Sequence, residues 1–253
     1  MPYLTAGDPS LATTGAMLPK IQDAGASVCE LGFPYSDPIA DGPIIQASMN
    51  YVLEHHARVA QIFEMVSQQR SQLKMGVVAM VSYSIVHRMG VKGFMSDAAS
   101  AGFDGMIVPD LPVEESNVVC QTATDAGLTC SFLIAPTTPL ERAQKLAQAS
   151  SGFVYVLARA GLTGEQSELP ADLSERINRL RDVTDLPIAV GFGVSTAQQV
   201  SDVVQVADAA IVGSAIMHRI ADSRDKDESE IVKMVGSFVS ELAGGLTSQA
   251  AVK

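Results

Sequence analysis

The clearest indication of the fold is the segment Ser27-Val-Cys-Glu-Leu-Gly-Phe-Pro-Tyr-Ser-Asp-Pro-Ile-Ala-Asp-Gly-Pro43. It begins as a short apolar run that contains one carboxylate, Glu30, and continues into a loop of prolines, glycines and aspartates. An apolar run, such a loop and then an amphipathic stretch are typical of one strand–loop–helix unit. The same order recurs along the chain, so the sequence predicts an α/β protein built from repeated units.

Eight apolar runs follow this pattern, and each predicts a β-strand. They are Pro2–Thr5, Ser27–Phe33, Met75–Ser82, Gly105–Pro109, Cys130–Ala135, Phe153–Ala158, Pro187–Gly191 and Ala209–Gly213. Their spacing leaves room for a helix in each crossover, as parallel strands require. An open doubly wound sheet is one solution, but eight similar units in 253 residues favour a (β/α)8 barrel, which takes about 250 residues. Because neither a linker nor a composition shift divides the sequence, we expect a single domain over residues 1–253.

Apolar residues at helical spacing predict the layer outside the strands. One stripe comprises Val59, Ile62, Phe63 and Val66, and a second comprises Ile231, Met234, Val235, Phe238 and Leu242. Both follow the i, i+3, i+4 pattern of an amphipathic helix whose apolar face is packed in the core. We interpret the charged stretch from Asp222 to Glu230 as a solvated loop before the last helix.

The composition excludes several classes of function. The net charge of −11 argues against nucleic acid, although a local site in an acidic protein can still bind a small anion. The N-terminal sequence shows no secretory signal, and apolar runs fall short of the roughly 20 residues that span a bilayer. We therefore expect a cytoplasmic protein without membrane contact.

Cysteine and histidine usage indicates neither disulfides nor a metal site. Cys29, Cys120 and Cys130 are odd in number and widely spaced. The histidines, which have no metal-ligand spacing and are expected at the surface or in loops, are His55, His56, His87 and His218.

Glu30 is the first residue in the sequence that suggests a catalytic role. A carboxylate inside an apolar strand is costly to bury, unless it has a partner or a catalytic purpose. One interpretation is a structural glutamate that forms a salt bridge or reaches the rim. The other is a general acid, because an apolar pocket raises the pKa of a carboxyl group toward neutrality. Asp37 and Asp41 in the following loop fit ordinary turn chemistry.

Three glycine-containing turns predict a phosphate site late in the chain. They are Gly161-Leu-Thr-Gly164, Gly191-Phe-Gly193 and Gly213-Ser-Ala215. Glycine lets backbone N–H groups approach phosphate oxygens, and a helix N-terminus adds a favourable dipole. The loops after strands 7 and 8 are the common phosphate location in such barrels. The alternative is that these glycines serve tight turns alone.

The block from Glu30 to Gly42 resembles the signature of the tryptophan synthase α-subunit family along its whole length. Further similar blocks, in the family's order, are Pro2-Tyr-Leu-Thr-Ala-Gly-Asp-Pro9, Pro109-Asp-Leu-Pro-Val-Glu-Glu115, Gly191-Phe-Gly193 and Gly213-Ser-Ala215. The resemblance therefore covers essentially the whole chain. It implies a lyase that cleaves indole-3-glycerol phosphate into indole and glyceraldehyde 3-phosphate.

The resemblance also implies roles for individual residues. Glu30 matches the family's catalytic glutamate, which protonates indole C3, and Asp41 matches the second catalytic carboxylate, at the indole N–H. Substrate and phosphate contacts are implied for Tyr83, Thr163, Gly164, Gly193, Gly213 and Ser214, with Thr163 in a lid over residues 160–170. No metal or organic cofactor is implied for this chain.

The implied partner is a pyridoxal-phosphate-dependent β subunit, in an αββα heterotetramer, which receives the indole. The implied contact surface comprises Pro34, Tyr35, Ser36, Asp37, Asp110 and Pro112.

The sequence departs from the family at several positions. Ser82 and Ser84 flank Tyr83 where the family has a tyrosine and an asparagine, and Ala160 replaces a frequent serine. The first strand also begins almost at residue 1, where the family has an N-terminal helix.

Other functions stay open beside the subunit. One is a stand-alone lyase of the same family, and another is a catalytically silent regulatory barrel. Barrels resembling phosphoribosylanthranilate isomerase or indole-glycerol-phosphate synthase share the phosphate loops but not the block from Glu30 to Asp41.

Overall fold

The computed structural model describes residues 1–38, 41–159, 170–191 and 193–247. The strands are β1 (Tyr3–Thr5), β2 (Val28–Gly32), β3 (Gly76–Met80), β4 (Gly105–Ile107), β5 (Thr129–Ser131), β6 (Leu133–Ile134), β7 (Val154–Leu157), β8 (Ile188–Gly191) and β9 (Ala209–Ala210). The helices are α1 (Leu11–Asp23), α2 (Pro43–Glu54), α3 (Val59–Arg70), α4 (Tyr83–Met89), α5 (Val91–Ala101), α6 (Ser116–Asp125), α7 (Leu140–Ala149), α8 (Leu173–Arg181), α9 (Ala197–Val204), α10 (Ser214–Ala221) and α11 (Glu228–Thr247), and a 3-10 turn spans Val113–Glu115.

The strands are parallel and close into a barrel. Strands β1 to β5 pair in chain order, as do β6 to β9. A parallel bridge between Pro2 and Val212 closes one seam, where the Tyr3 amide donates to the Val212 carbonyl at 2.9 Å. The other seam lies within the fifth predicted run. The predicted (β/α)8 barrel is therefore confirmed.

The fifth run is not one continuous strand, because Phe132 separates β5 from β6. The Phe132 amide donates to the Ser150 hydroxyl at 3.2 Å, whereas its carbonyl accepts from the Tyr155 amide at 3.1 Å. On one side of Phe132, the Ser150 side chain thus replaces the backbone group of a neighbouring strand as hydrogen-bond partner. The sheet bends at this point without opening the barrel.

The register determines which side chains point into the barrel. Tyr3 pairs with Glu30, Glu30 pairs with Val78, and Val78 pairs with Gly105. Because successive side chains of a strand point to opposite faces, these residues share the inner face. The buried inner cluster comprises Val78, Ile107, Phe153, Tyr155, Ala189 and Ile211. Glu30 consequently lies inside the barrel, and its neighbours Cys29 and Leu31 face the helices.

The helical stripes pack against the outer face as predicted. Ile62, Phe63 and Val66 of α3 are buried, and Val59 is partly buried. In α11 the buried members are Ile231, Val235, Phe238 and Leu242, with Met234 partly buried. Phe33, directly after β2, lies 5.7 Å from Phe63 and 5.9 Å from Phe94 between ring centroids. This aromatic contact fixes the end of the strand that carries Glu30.

The charged stretch between α10 and α11 differs from its prediction. Glu228 already begins α11, and Ser223 is buried. Arg224 turns inward and donates to both carboxylate oxygens of Asp8 at 2.9 and 2.7 Å. The Ser48 hydroxyl donates to the same carboxylate at 2.6 Å, and the guanidinium lies 3.8 Å from the Tyr51 ring centre. The stretch is therefore an anchor for the loop after β1 as well as a solvated connection.

Two further features are the lengths of the helices and the exposure of the histidines. Of the helices in the described ranges, none is long and apolar enough to cross a membrane. All four histidines are exposed, as expected.

Replacing Arg224 with Met should destabilise the protein by about 3 kcal/mol, because removing one partner of a buried ion pair leaves its carboxylate uncompensated. The Asp8 side chain is 0% exposed and the Arg224 side chain 24%. Equilibrium urea unfolding measures the difference. As a control, Arg142→Met removes an exposed ion pair with Glu114, and should destabilise the protein far less, because water and salt screen exposed charges. Equal losses in the two variants would contradict a structural role for the Asp8 pair.

Candidate active site

Glu30 occupies an unusual environment at the centre of the barrel. Its side chain is 0% exposed, and both carboxylate oxygens are buried without a hydrogen-bond partner among the described residues. Burial raises the pKa of Glu30 from its ordinary value of 4.5 to about 8. The interpretation of Glu30 as a salt-bridged or rim residue is therefore wrong. At neutral pH this carboxyl group is largely protonated and can act as an acid.

Two buried tyrosines lie on the same inner face. The Tyr3 hydroxyl is 3.4 Å from the Thr5 hydroxyl, and a Cβ at Gly32 would overlap Tyr3. A Cβ at Gly191 would come within 2.6 Å of the Tyr155 hydroxyl. Burial, followed by the charges of Glu30 and Asp41, raises the pKa of Tyr155. Both carboxylates therefore act on the same interior space.

Asp41 is held at the edge of this space by the start of α2. The Gln46 side-chain amide donates to the Asp41 carbonyl at 2.7 Å and to the Pro38 carbonyl at 3.1 Å. Pro43 occupies the first turn of α2, where its fixed φ favours helix initiation. Burial raises the pKa of Asp41 from 3.8 to about 6.

The two carboxyl groups thus differ in protonation near neutral pH. The pKa of Glu30 is about 8, so Glu30 keeps its proton, whereas Asp41, with a pKa of about 6, is mostly ionised. Two carboxyl groups in unlike environments provide an acid and a base at one pH. The arrangement fits a reaction with paired proton transfers.

An apolar wall surrounds the inner groups toward the C-terminal ends of the strands. Met80, Leu133 and Leu157 are partly buried there, against the inner cluster. Ser131, paired in register with Ile107, faces the same interior. Its hydroxyl is buried and has no hydrogen-bond partner in the described part of the chain. Such a group is available to a ligand.

Sequence reasoning missed three of these interior polar residues, namely Tyr3, Ser131 and Tyr155. Their signal is positional, since each shares the inner face with Glu30 once the strand register is known. Tyrosine and serine in an apolar strand are otherwise common and carry no signal alone.

The predicted phosphate loops are described in part. Gly193 follows β8 with a φ of +92°, a conformation that favours glycine. Gly213 precedes α10, which begins at Ser214 and shows no side-chain cap in its described surroundings. The first amides of α10 therefore remain available to an anion. Thr163 and Gly164 lie outside the described residues, as do Ala160, Gly161 and Phe192.

Tyr83 and Asp110 interact with each other. Asp110 accepts hydrogen bonds from the Tyr83 amide and the Ser82 hydroxyl, both at 2.7 Å. This carboxylate thereby caps the start of α4. The Tyr83 ring packs against His87 of the same helix, at 5.9 Å between ring centroids.

The residues predicted for the partner surface follow β2 and β4, at the same end of the barrel. Ser36, Asp37, Asp110 and Pro112 are exposed, Tyr35 is half-buried, and Pro34 is buried. The Ser36 hydroxyl donates to Asp37 at 2.7 Å, as in a turn. Within the ranges that the structure describes, no cluster of His, Cys, Asp and Glu could hold a metal ion.

Comparisons with known proteins agree on one family. The family model described as "Tryptophan synthase alpha chain" matches residues 1–245. A protein of that name from Acaryochloris marina is 40% identical over 247 residues, which are 97% of this chain and 91% of that protein. Another from Thermosynechococcus vestitus is 43% identical over 225 residues, which cover 88% and 84% of the two chains.

Solved structures agree as well. A chain of the tryptophan synthase a2b2 complex from Pyrococcus furiosus superposes with a TM-score of 0.87 at 33% identity, covering 96% of each chain. A mutant α subunit from that organism gives a TM-score of 0.88 at 34% identity, with the same coverage. On the match to the family model and these identities, the chain belongs to the tryptophan synthase alpha chain family.

Proposed function

We propose that this protein is the α subunit of tryptophan synthase, the lyase that cleaves indole-3-glycerol phosphate into indole and glyceraldehyde 3-phosphate. The observation that carries the proposal is Glu30, a fully buried carboxyl group with a pKa of about 8, whose two oxygens have no hydrogen-bond partner among the described residues. A retro-aldol cleavage at an aromatic carbon needs an acid of this kind, because the carbon is a poor leaving group until it is protonated.

The reaction divides between the two carboxyl groups. Glu30 donates its proton to indole C3, while Asp41 accepts or stabilises positive charge at the indole N–H. The resulting indolenine then breaks the bond to the glycerol side chain as the adjacent hydroxyl loses its proton to the ionised Glu30. This second transfer restores protonated Glu30, and a proton taken up by Asp41 returns to the indole nitrogen as the ring regains its aromaticity. Each transfer contributes roughly 10²–10⁴ to the rate.

The remaining contacts follow the chemistry of the substrate. Met80, Leu133 and Leu157 provide an apolar wall for the indole ring. Ser131 offers a hydroxyl to a polar atom of the bound substrate, and we assign it as an additional substrate contact. We propose the phosphate contacts at Gly164, Gly193, Gly213 and Ser214, and further substrate contacts at Tyr83 and Thr163.

The P. furiosus relative is described as part of an a2b2 complex, and we propose the same assembly for this chain. In the proposed assembly the β subunit holds the pyridoxal phosphate, and we propose no cofactor for the chain described here. The contact surface comprises Pro34, Tyr35, Ser36, Asp37, Asp110 and Pro112. We further propose one domain over the whole chain and a cytoplasmic location.

The first experiment compares indole release from indole-3-glycerol phosphate by wild type and Glu30→Gln, with and without a purified tryptophan synthase β subunit. Gln keeps the shape but removes the acid, so we expect a loss of at least about 100-fold. The β subunit should accelerate wild-type cleavage. Glu54→Gln, at an exposed position of α2, is the matched control and should retain activity.

Each other outcome selects an alternative. Fast cleavage by the chain alone, unchanged by the β subunit, would identify a stand-alone lyase. A folded wild type that cleaves nothing under either condition would identify a silent regulatory barrel. Activity retained in a folded Glu30→Gln variant would remove Glu30 from the mechanism.

Glu30 should also make stability depend on pH. Its pKa is 4.5 ordinarily and about 8 in the folded state, so the folded state binds its proton more tightly. The stabilisation from this bound proton is complete below the pKa of the unfolded state, and it is lost as the pH rises through the pKa of the folded state. Between these two pKa values, the free energy of unfolding of the wild type should fall by at most about 1.4 kcal/mol per pH unit as the pH rises, relative to that of Glu30→Gln.

Urea unfolding of both proteins at about pH 5 and about pH 8 measures this difference. Glu54→Gln should keep the wild-type dependence. Parallel pH profiles for wild type and Glu30→Gln would mean that the Glu30 carboxyl is not held protonated.

Ser131→Ala tests the additional substrate contact. We expect the KM for indole-3-glycerol phosphate to rise roughly tenfold, the value of one hydrogen bond of about 1.4 kcal/mol. Stability should not fall, because the Ser131 hydroxyl satisfies no group in the described part of the chain. The exposed Ser174→Ala is the control. An unchanged KM together with reduced stability would make Ser131 a structural residue.

A further inference from the structure

Cys120 and Cys130 form a close thiol pair outside the active site. Cys120 lies on α6 and Cys130 on β5, and their sulfur atoms are 3.1 Å apart, with a hydrogen bond between the thiols. Both are free cysteines. Their positions in the sequence do not predict a pair, because an odd number of widely spaced cysteines favours no bridge. The packing of α6 on β5 brings them together.

The two thiols differ in accessibility and acidity. Cys120 is half-buried, whereas Cys130 is 1% exposed. The hydrogen bond between the two thiols lowers the pKa of Cys120, whereas the same hydrogen bond, together with burial, raises the pKa of Cys130. The thiolate is the reactive form of cysteine. Cys120 is therefore the thiol that meets a reagent first, with Cys130 directly behind it.

The surrounding backbone holds Cys130 in place. Its amide donates to the Ser151 hydroxyl at 3.0 Å, and its carbonyl accepts from the Ser151 amide at 2.7 Å. A disulfide requires a sulfur–sulfur distance of about 2.05 Å, so closure from 3.1 Å needs a shift of roughly 1 Å. A small change in the Cys120 side chain and in α6 can supply this shift while the strand stays fixed.

We propose that Cys120 and Cys130 are an oxidation site for small hydroperoxides, which convert the pair into an intrachain disulfide. The Cys120 thiolate attacks one peroxide oxygen, which breaks the O–O bond and yields a sulfenic acid and water or an alcohol. The Cys130 sulfur then attacks the sulfenic sulfur, and water leaves with the Cys130 proton. Two electrons pass from the two sulfur atoms to the peroxide, and a dithiol reductant reverses the change.

The test treats the reduced full-length protein with hydrogen peroxide and follows intact mass, peptide mapping and thiol titration after denaturation. The expected product has lost two hydrogen atoms, and has one free thiol where the reduced protein has three. Its map contains a peptide in which Cys120 is joined to Cys130, and dithiothreitol restores the starting mass.

Three variants separate the steps. Cys130→Ala should stop at a sulfenic acid on Cys120, which dimedone traps. Cys120→Ser should leave Cys130 reduced, because the buried thiol lacks its accessible neighbour. Cys29→Ala is the matched control, because it removes the cysteine outside the pair. This variant should still form the bridge between Cys120 and Cys130.

Two results would overturn the proposal. One is a wild-type protein that keeps all three thiols under peroxide excess. The other is a sulfinic acid on Cys120 with Cys130 still reduced, which would show that the two sulfur atoms do not join. Neither measurement depends on lyase activity, so the proposed function and this site can fail separately.

Discussion

Burying the Glu30 carboxyl group in an apolar barrel costs free energy that the packing of the whole barrel must offset. A shift of its pKa from 4.5 to about 8 corresponds to several kcal/mol between the ionised and neutral forms. Net stability of a protein is about 5–15 kcal/mol, so such a cost is a large share of it. The outer layer of the barrel has to offset it. Its apolar packing, including the rings of Phe33, Phe63 and Phe94, surrounds the strand that carries Glu30.

The alternation of side chains on each strand separates stability from chemistry. On β2, Cys29 and Leu31 pack against helices, whereas Glu30 faces the barrel interior between them. The absence of a Cβ at Gly32 leaves room for the Tyr3 ring on the neighbouring strand. One face of a short strand thus supplies core packing and the other supplies reactive groups. The barrel can then hold polar side chains without breaking its hydrophobic layer.

Much of this architecture could be predicted from the sequence, because strand runs and helical stripes are local patterns. Glu30 was recognisable because a carboxylate in an apolar run is chemically costly, and Asp41 only through the family resemblance. Tyr3, Tyr155 and Ser131 required the strand register, which local patterns do not contain. The break at Phe132 depends on Ser150, a residue in another part of the chain. Arg224 and the pair of Cys120 and Cys130 likewise depend on contacts that form after folding.

The ion pair between Asp8 and Arg224 also has a consequence for the order of folding. It joins positions 216 residues apart, and the bridge between Pro2 and Val212 likewise joins the two ends of the barrel sequence. Contacts this remote in sequence form only after most of the chain is present. They slow folding because closing the long loop costs entropy before the contact forms. During synthesis, which proceeds from the N-terminus, the first strand therefore emerges long before its neighbour across the seam. Until then the first strand has one free edge, and the Asp8 carboxylate lacks its cation.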